Sequence, residues 1–166
     1  MDKLWAPWRS KYIYLRKRKG CIFCVNAKEK KDRKHYVLAR SKHAFSMLNI
    51  YPYNTGHVMV NPYAHVDTPE KLDAATLAEI WQLTNVSMRA LRLASNPHAF
   101  NLGANVGKAS GGGIDQHFHF HVVPRWLGDT NFMPILAATR VLPENLNDLY
   151  ARLKPAFEQC ALRPDQ

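Results

Sequence analysis

The sequence predicts an α+β domain: a mainly antiparallel sheet, one long helix and a C-terminal helix. Two observations carry this. Short runs alternate apolar and polar residues with period two, early and late in the chain. Between and after them lie two stretches with apolar residues at helical spacing. The order, strands first, then a helix, then more strands, fits segregated layers rather than βαβ repeats.

"HYVLAR" and "HAFSMLNI" (35–40 and 43–50) read as strands about a turn at Ser41-Lys42. "YPYNTG" is a turn, punctuated by Pro52 and Gly56. "HVMVNP" is a strand that stops at Pro62. Asp67-Thr68-Pro69-Glu70 offers a helix N-cap, with a proline and an acid in the first turn. The helix is predicted from about Pro69 to Ala94, with Leu77, Ile80, Trp81, Thr84, Met88 and Leu91 facing inward as core. "HAFNLGAN" is another strand, joined through Gly111–Gly113 to the partner strand "QHFHFHVVPRW". A last helix, about Glu144 to Phe157, buries Leu146, Leu149 and Leu153.

One domain over 1–166 is expected, because the chain is large enough to bury a core and shows neither repeat nor linker. Residues 1 to about 20 form a basic, aromatic arm with Trp5, Trp8, Tyr12 and Tyr14, expected to dock on the body. No apolar run reaches the ~20 residues of a membrane span. "MDKLWAPWRS" lacks an apolar signal region, and three cysteines make no disulfide framework. A reducing cytoplasm is the expected location. The net charge is +10, and residues 9–34 hold eleven bases against Glu29 and Asp32, so this stretch supplies +9. Such a block attracts polyanions, yet no nucleic-acid-binding module is legible. Binding of RNA or DNA by the arm is therefore the weakest functional reading.

The alternation at 117–121 puts His117, His119 and His121 on one face of a strand, and Phe118, Phe120 and Val122 on the other, toward the core. Three imidazoles on one face exceed what packing needs. They suit a metal or nucleophilic chemistry. Imidazole is largely neutral at pH 7 and attacks phosphorus well. Glycines 111–113 can expose N–H groups to phosphate oxygens. Cys21-x-x-Cys24 is half a zinc site or a redox pair. Cys160 has no partner in the sequence.

"HFHFHVV" resembles the histidine-triad pattern, His-φ-His-φ-His-φ-φ with φ apolar, and "GHVMVNPYAHV" resembles the second landmark of that superfamily. The likeness covers roughly residues 20–126. "LWAPWR" and "HVVPRWLGDTNFMP" resemble a bacterial branch similar to diadenosine-tetraphosphate phosphorylases. The resemblance implies an enzyme of this fold, a nucleotidyl hydrolase or transferase cleaving at the α-phosphate of adenine nucleotides such as diadenosine polyphosphates. His119 would form a covalent nucleotidyl-histidine, which water or phosphate then resolves. By the same likeness His121 and His57 support the site. Asn49 contacts ribose, Asn105 lies near the phosphates, and backbone around Gly113 and the flanking His117 and His121 stabilise phosphoryl charge. Relatives often carry Gln-Ser or Gln-Thr where this chain has Gly113-Ile114, so Ser110, Gln116 or backbone would replace that contact. His121 argues against the uridylyl transferases, which carry glutamine there. The resemblance further implies structural zinc on Cys21, Cys24, His65 and His117, and a homodimer. The alternative is a nucleotide-binding adaptor or sensor with little turnover, against which an intact His119 speaks.

Overall fold

A computed structural model describes residues 20–129 and 144–161 of the chain. The N-terminal arm therefore lies outside the described residues, as does most of the segment after "HVVPRWLGD". Helices α1 (Ile22–Glu29) and α2 (Asp32–His35) come first. Strands β1 (Val37–Arg40), β2 (Ala44–Leu48) and β3 (Val58–Pro62) follow. Then come the long helix α3 (Ala74–Ser95), strands β4 (Ala99–Ala104) and β5 (Phe120–Arg125), and helix α4 (Leu146–Ala161). The five strands form one sheet, ordered β1-β2-β3-β5-β4, with every neighbouring pair antiparallel.

Period-two alternation splits the sheet into two faces. Ala44, Leu48, Val58, Val60 and Val122 point to one side and form the main core with Ile80, Leu83, Ala90 and Leu91 of α3 and Leu149, Leu153 and Phe157 of α4. Phe45, Met47 and Met59 point to the other side, where Phe23 of α1 covers them in a second cluster. His121 lies opposite Met59 on β3 and Gly103 on β4, which assigns it to this second face.

Several expectations are corrected. The long helix begins at Ala74, not Pro69. Thr68 instead caps a separate 3-10 turn, Pro69–Lys71, with its hydroxyl accepting from the Glu70 N–H at 3.2 Å. Asp73 then caps α3 by accepting from Thr76 N–H at 2.7 Å. Asp67 pairs with Lys71 rather than capping a helix. The inward stripe is corrected in part: Ile80, Thr84 and Leu91 are buried and Met88 packs against the core as expected, Thr76, Leu83, Ser87 and Ala90 join them, and Trp81 is 54% exposed and tilts against Phe120. Polarity hid Ser87, whose hydroxyl donates back to the Leu83 carbonyl and so buries cheaply, as the expected Thr84 does to Ile80. Helix α4 starts at Leu146 and runs past Pro155 to Ala161.

Helix α1 was not legible in the sequence. Eight residues with no side-chain N-cap make a marginal helix in water. Tertiary contacts hold it. The Arg40 guanidinium donates to the Ala27 and Asn26 carbonyls at its C-terminal end and forms a bidentate pair with Asp32. Arg40 lies at the end of β1, so this clamp fixes α1 against the sheet and aims Cys21, Phe23 and Cys24 at the second face.

Candidate active site

Only His121 of the three histidines lies within β5; His117 and His119 precede it. The expectation of a single strand through all three is corrected here. The chain before β5 bonds to the loop after β3 instead of a neighbouring strand, with Phe118 N–H donating to the Val66 carbonyl at 2.5 Å. The three rings still gather under α1. Phe23 packs on His117 and His119 at centroid distances of 5.1 and 5.0 Å, and His119 meets His121 edge-on at 4.8 Å. Phe118 and Val122 are buried in the main core and Phe120 packs against it, as the alternation predicts.

Hydrogen bonds fix where each proton sits. His119 Nδ1 lies 2.8 Å from the His117 carbonyl, which can only accept. The Nδ1 therefore carries the proton, and Nε2 keeps its lone pair. Tyr53 N–H donates to His57 Nδ1 at 3.0 Å, so His57 bears its proton on Nε2. That proton is donated to His121 Nδ1 at 2.8 Å, which leaves the His121 proton on Nε2. The Asn105 amide lies 3.4 Å from this Nε2 and 3.5 Å from the Tyr53 hydroxyl.

Burial is the first cause of every histidine shift here. It pushes His57 down to about 3, with the nearby His121 and His119 charges adding to it. His121 is pushed to about 4 by burial and then His119. His119 is lowered by burial, partly offset by its bond to the His117 carbonyl. All three are thus neutral at pH 7, the state in which imidazole nitrogens can attack or relay protons.

Around them, Asn49 uses its amide twice: its oxygen accepts from Tyr51 N–H at 2.9 Å, and its nitrogen lies 3.3 Å from His57 Nδ1. Gly56 makes the turn before His57 with φ +79°, where a side chain would press on Leu91 and Pro124 at 3.1 Å. In the glycine loop, a Cβ on Gly112 would come within 3.0 Å of the Asn105 side chain. Gly112 thereby lets Asn105 reach the triad. Gly113 is exposed, and so is Ser110, whose hydroxyl donates to Gly107 within its own loop. Tyr53 and Phe23 were missed by sequence reasoning. Tyr53 lies within the turn punctuated by Pro52 and Gly56 and drew no role there, and Phe23 belongs to a helix that was not legible.

A second cluster adjoins the first. Cys21, Cys24, His65 and His117 each offer one ligand atom, all within 4.8 Å of one another, a group that can hold a metal ion. His117 Nδ1 is 3.3 Å from Cys21 Sγ, 3.6 Å from Cys24 Sγ and 3.2 Å from His65 Nδ1. Cys24 Sγ is 3.5 Å from His65 Nδ1. The other nitrogen of His117 donates to the Pro62 carbonyl at 3.1 Å, which leaves Nδ1 unprotonated and facing the thiols. Both ring nitrogens of His117 are thus engaged, Nδ1 by the cluster and Nε2 by the Pro62 carbonyl.

The HIT domain family model matches residues 30–126. A protein named AP-4-A phosphorylase from Mycobacterium tuberculosis is 38% identical over 156 residues, covering 89% of this chain and 80% of that protein. An uncharacterized HIT-like protein from Saccharolobus solfataricus is 27% identical over 113 residues, 68% of this chain and 79% of its own length. Among solved structures, a Zn-bound histidine triad family protein from Mycobacterium smegmatis superposes with a TM-score of 0.70 at 24% identity, covering 86% of this chain and 96% of that one. Plasmodium falciparum diadenosine triphosphate hydrolase gives a TM-score of 0.60 at 18% identity, covering 80% of each chain. At these identities the structural likenesses carry the fold alone. The family model spans more than half of the sequence and the mycobacterial relative most of both chains, and on these grounds the chain belongs to the HIT domain family.

Proposed function

We propose that the protein is a nucleotidyl transferase that cleaves diadenosine polyphosphates at the α-phosphorus, with inorganic phosphate as acceptor. Activity on adenine nucleotides follows from family membership and from the relative named AP-4-A phosphorylase. One observation carries the chemistry: His119 Nδ1–H is spent on the His117 carbonyl, so its Nε2 is a neutral nucleophile. In the first step the Nε2 lone pair forms a bond to the α-phosphorus, and the bond from that phosphorus to the bridging oxygen breaks. With diadenosine tetraphosphate the leaving group is ATP. The His121 Nε2–H donates to the oxygens on which charge develops, and the Asn105 amide beside it adds a polar contact. In the second step a phosphate oxygen attacks the adenylyl phosphorus, frees His119 and forms ADP. Asn49, beside His57 at the mouth of the β2–β3 turn, is assigned the ribose. His117 contributes through its carbonyl, and backbone around Gly113 with Ser110 borders the phosphate chain.

We assign zinc to the second cluster. Two thiolates and two imidazoles are a zinc donor set, and tetrahedral zinc with bonds of about 2.1 and 2.3 Å separates its ligands by roughly 3.3–3.8 Å. Four of the six spacings among Cys21, Cys24, His65 and His117 are 3.2–3.6 Å and fit that arrangement, and all six lie within 4.8 Å. The ion would be structural, tying α1 to the triad segment. A homodimer is the proposed assembly. Strand β4 is a sheet edge, and Trp81, Leu102 and Val106 near it are 54%, 41% and 48% exposed. No helix among the described residues is long and apolar enough to cross a membrane.

The deciding experiment is product analysis of diadenosine tetraphosphate with and without inorganic phosphate. ATP and ADP formed only with phosphate are expected. ATP and AMP irrespective of phosphate would make the protein a hydrolase, and no turnover would leave a nucleotide-binding adaptor.

A further inference from the structure

Three aromatic rings meet at the mouth of the site. Tyr53 packs on His57 at 4.5 Å and 45°, and on His121 at 5.3 Å and 33°. His57 and His121 are 5.0 Å apart at 53°. The two imidazoles are 1% and 6% exposed, whereas Tyr53 is 46% exposed. The phenol ring therefore lies on the water side of the pair. We infer that the Tyr53 ring is a positioning residue that clamps the His57–His121 hydrogen bond closed, an inference resting on the proposed role of His121 in nucleotidyl transfer.

The bond between these imidazoles is a single neutral one, at 2.8 Å. In the open it would exchange readily for bonds to water. Behind the pair the structure is rigid. His121 is held in β5 between two strands, and His57 directly precedes β3. His57 Nδ1 is also fixed by Tyr53 N–H and by the Asn49 amide. The aromatic ring in contact with both imidazoles is that of Tyr53. By covering them it keeps water from inserting, strengthens their bond in a drier setting and keeps the His121 proton on the nitrogen that faces outward. The backbone N–H that sets the tautomer and the ring that seals it belong to one residue, four positions before His57. Loss of the ring leaves the N–H in place, so substitution isolates the ring's part.

The test compares Tyr53→Phe, Tyr53→Leu and Tyr53→Ala in the full chain. The exchange rate of the imidazole proton shared by His57 and His121 is read by proton NMR without substrate, beside kcat and KM for diadenosine tetraphosphate. Tyr53→Phe keeps the ring and is expected to keep the parent exchange rate, with at most a small loss of kcat from the hydroxyl's contact with Asn105. Tyr53→Ala is expected to speed exchange at least about tenfold and lower kcat about tenfold, with KM within about twofold. Tyr53→Leu falls between, because it fills space without a planar face. Unchanged exchange and kcat in Tyr53→Ala overturn the inference. So does a Tyr53→Phe as impaired as Tyr53→Ala, which would move the role to the hydroxyl. If the ring governs exchange but no variant, nor the parent, transfers a nucleotide, the clamp stands and the functional proposal falls.

Discussion

His119 Nδ1 lies 2.8 Å from the carbonyl oxygen of His117. The same His117 turns its ring to Cys21, Cys24 and His65. One residue thus joins the proposed nucleophile to the proposed metal centre. Its side chain fixes its backbone, and its backbone fixes the tautomer and direction of His119. Phe23 adds a second link, since it packs on both rings and sits between the two cysteines in sequence.

Metal removal should therefore damage both stability and chemistry. Cys24→Ala is expected to lower zinc content from near one per chain and to lower the melting temperature. A loss of about 2 kcal/mol would appear as a fall of about 4–8 °C in a domain of this size. Turnover should fall more than nucleotide affinity, because His119 loses its orientation first. Elemental analysis with thermal melts checks this. A wild type that is metal-free and equally stable would sink the assignment.

His119→Ala removes the nucleophile and leaves its neighbours. Turnover of diadenosine tetraphosphate is expected to drop at least about a thousandfold while nucleotide binding survives. With α-labelled substrate, denaturation without acid should trap label on the parent chain and none on the variant. Normal turnover, or label on another residue, would refute the covalent role.

Much of this site was legible because its chemistry is local in sequence. The alternation from His117 to Val122 gave the two faces, and Cys21-x-x-Cys24 gave half a metal site; His65 and His117 were added only by the family resemblance, and the fold brings the four within 4.8 Å. What could not be read depends on distant partners. Helix α1 exists through Arg40, which is eleven residues beyond its end. The stripe of α3 was read only in part, because Ser87 satisfies its hydroxyl inside the helix and so buries unannounced, while Trp81 turns out to Phe120. Tyr53 gained its place only when the turn folded over His57.

The buried histidines make stability fall in acid. His57 and His121 titrate near 3 and 4 in the folded chain, against about 6.5 when unfolded. Between those values the unfolded chain binds protons that the folded one does not, so unfolding is favoured as pH drops. Stability should be flat above about pH 7 and decline from about 6.5 toward 4, by up to ~1.4 kcal/mol per unit for each such histidine. His121→Asn should shallow the slope in denaturant titrations across this window. An unchanged slope would show that His121 is not buried neutral.

Strand β4 supplies the last expectation. Its burial pattern is largely exposed, though it is a full ladder partner of β5 along six residues. Leu102 and Trp81 are both large and exposed, and Trp81 already touches Phe120 of β5. An apolar edge of this kind invites pairing with another chain. If that chain is a second copy, Leu102→Glu places like charges across a symmetric contact and should convert dimer to monomer in sedimentation or light scattering. Because Gly103 and Ala104 lie opposite His121 and Phe120, the monomer should also lose turnover severalfold through a loosened β5. A parent protein that is monomeric at every concentration, or a Leu102→Glu dimer of unchanged affinity, would remove this edge as the interface.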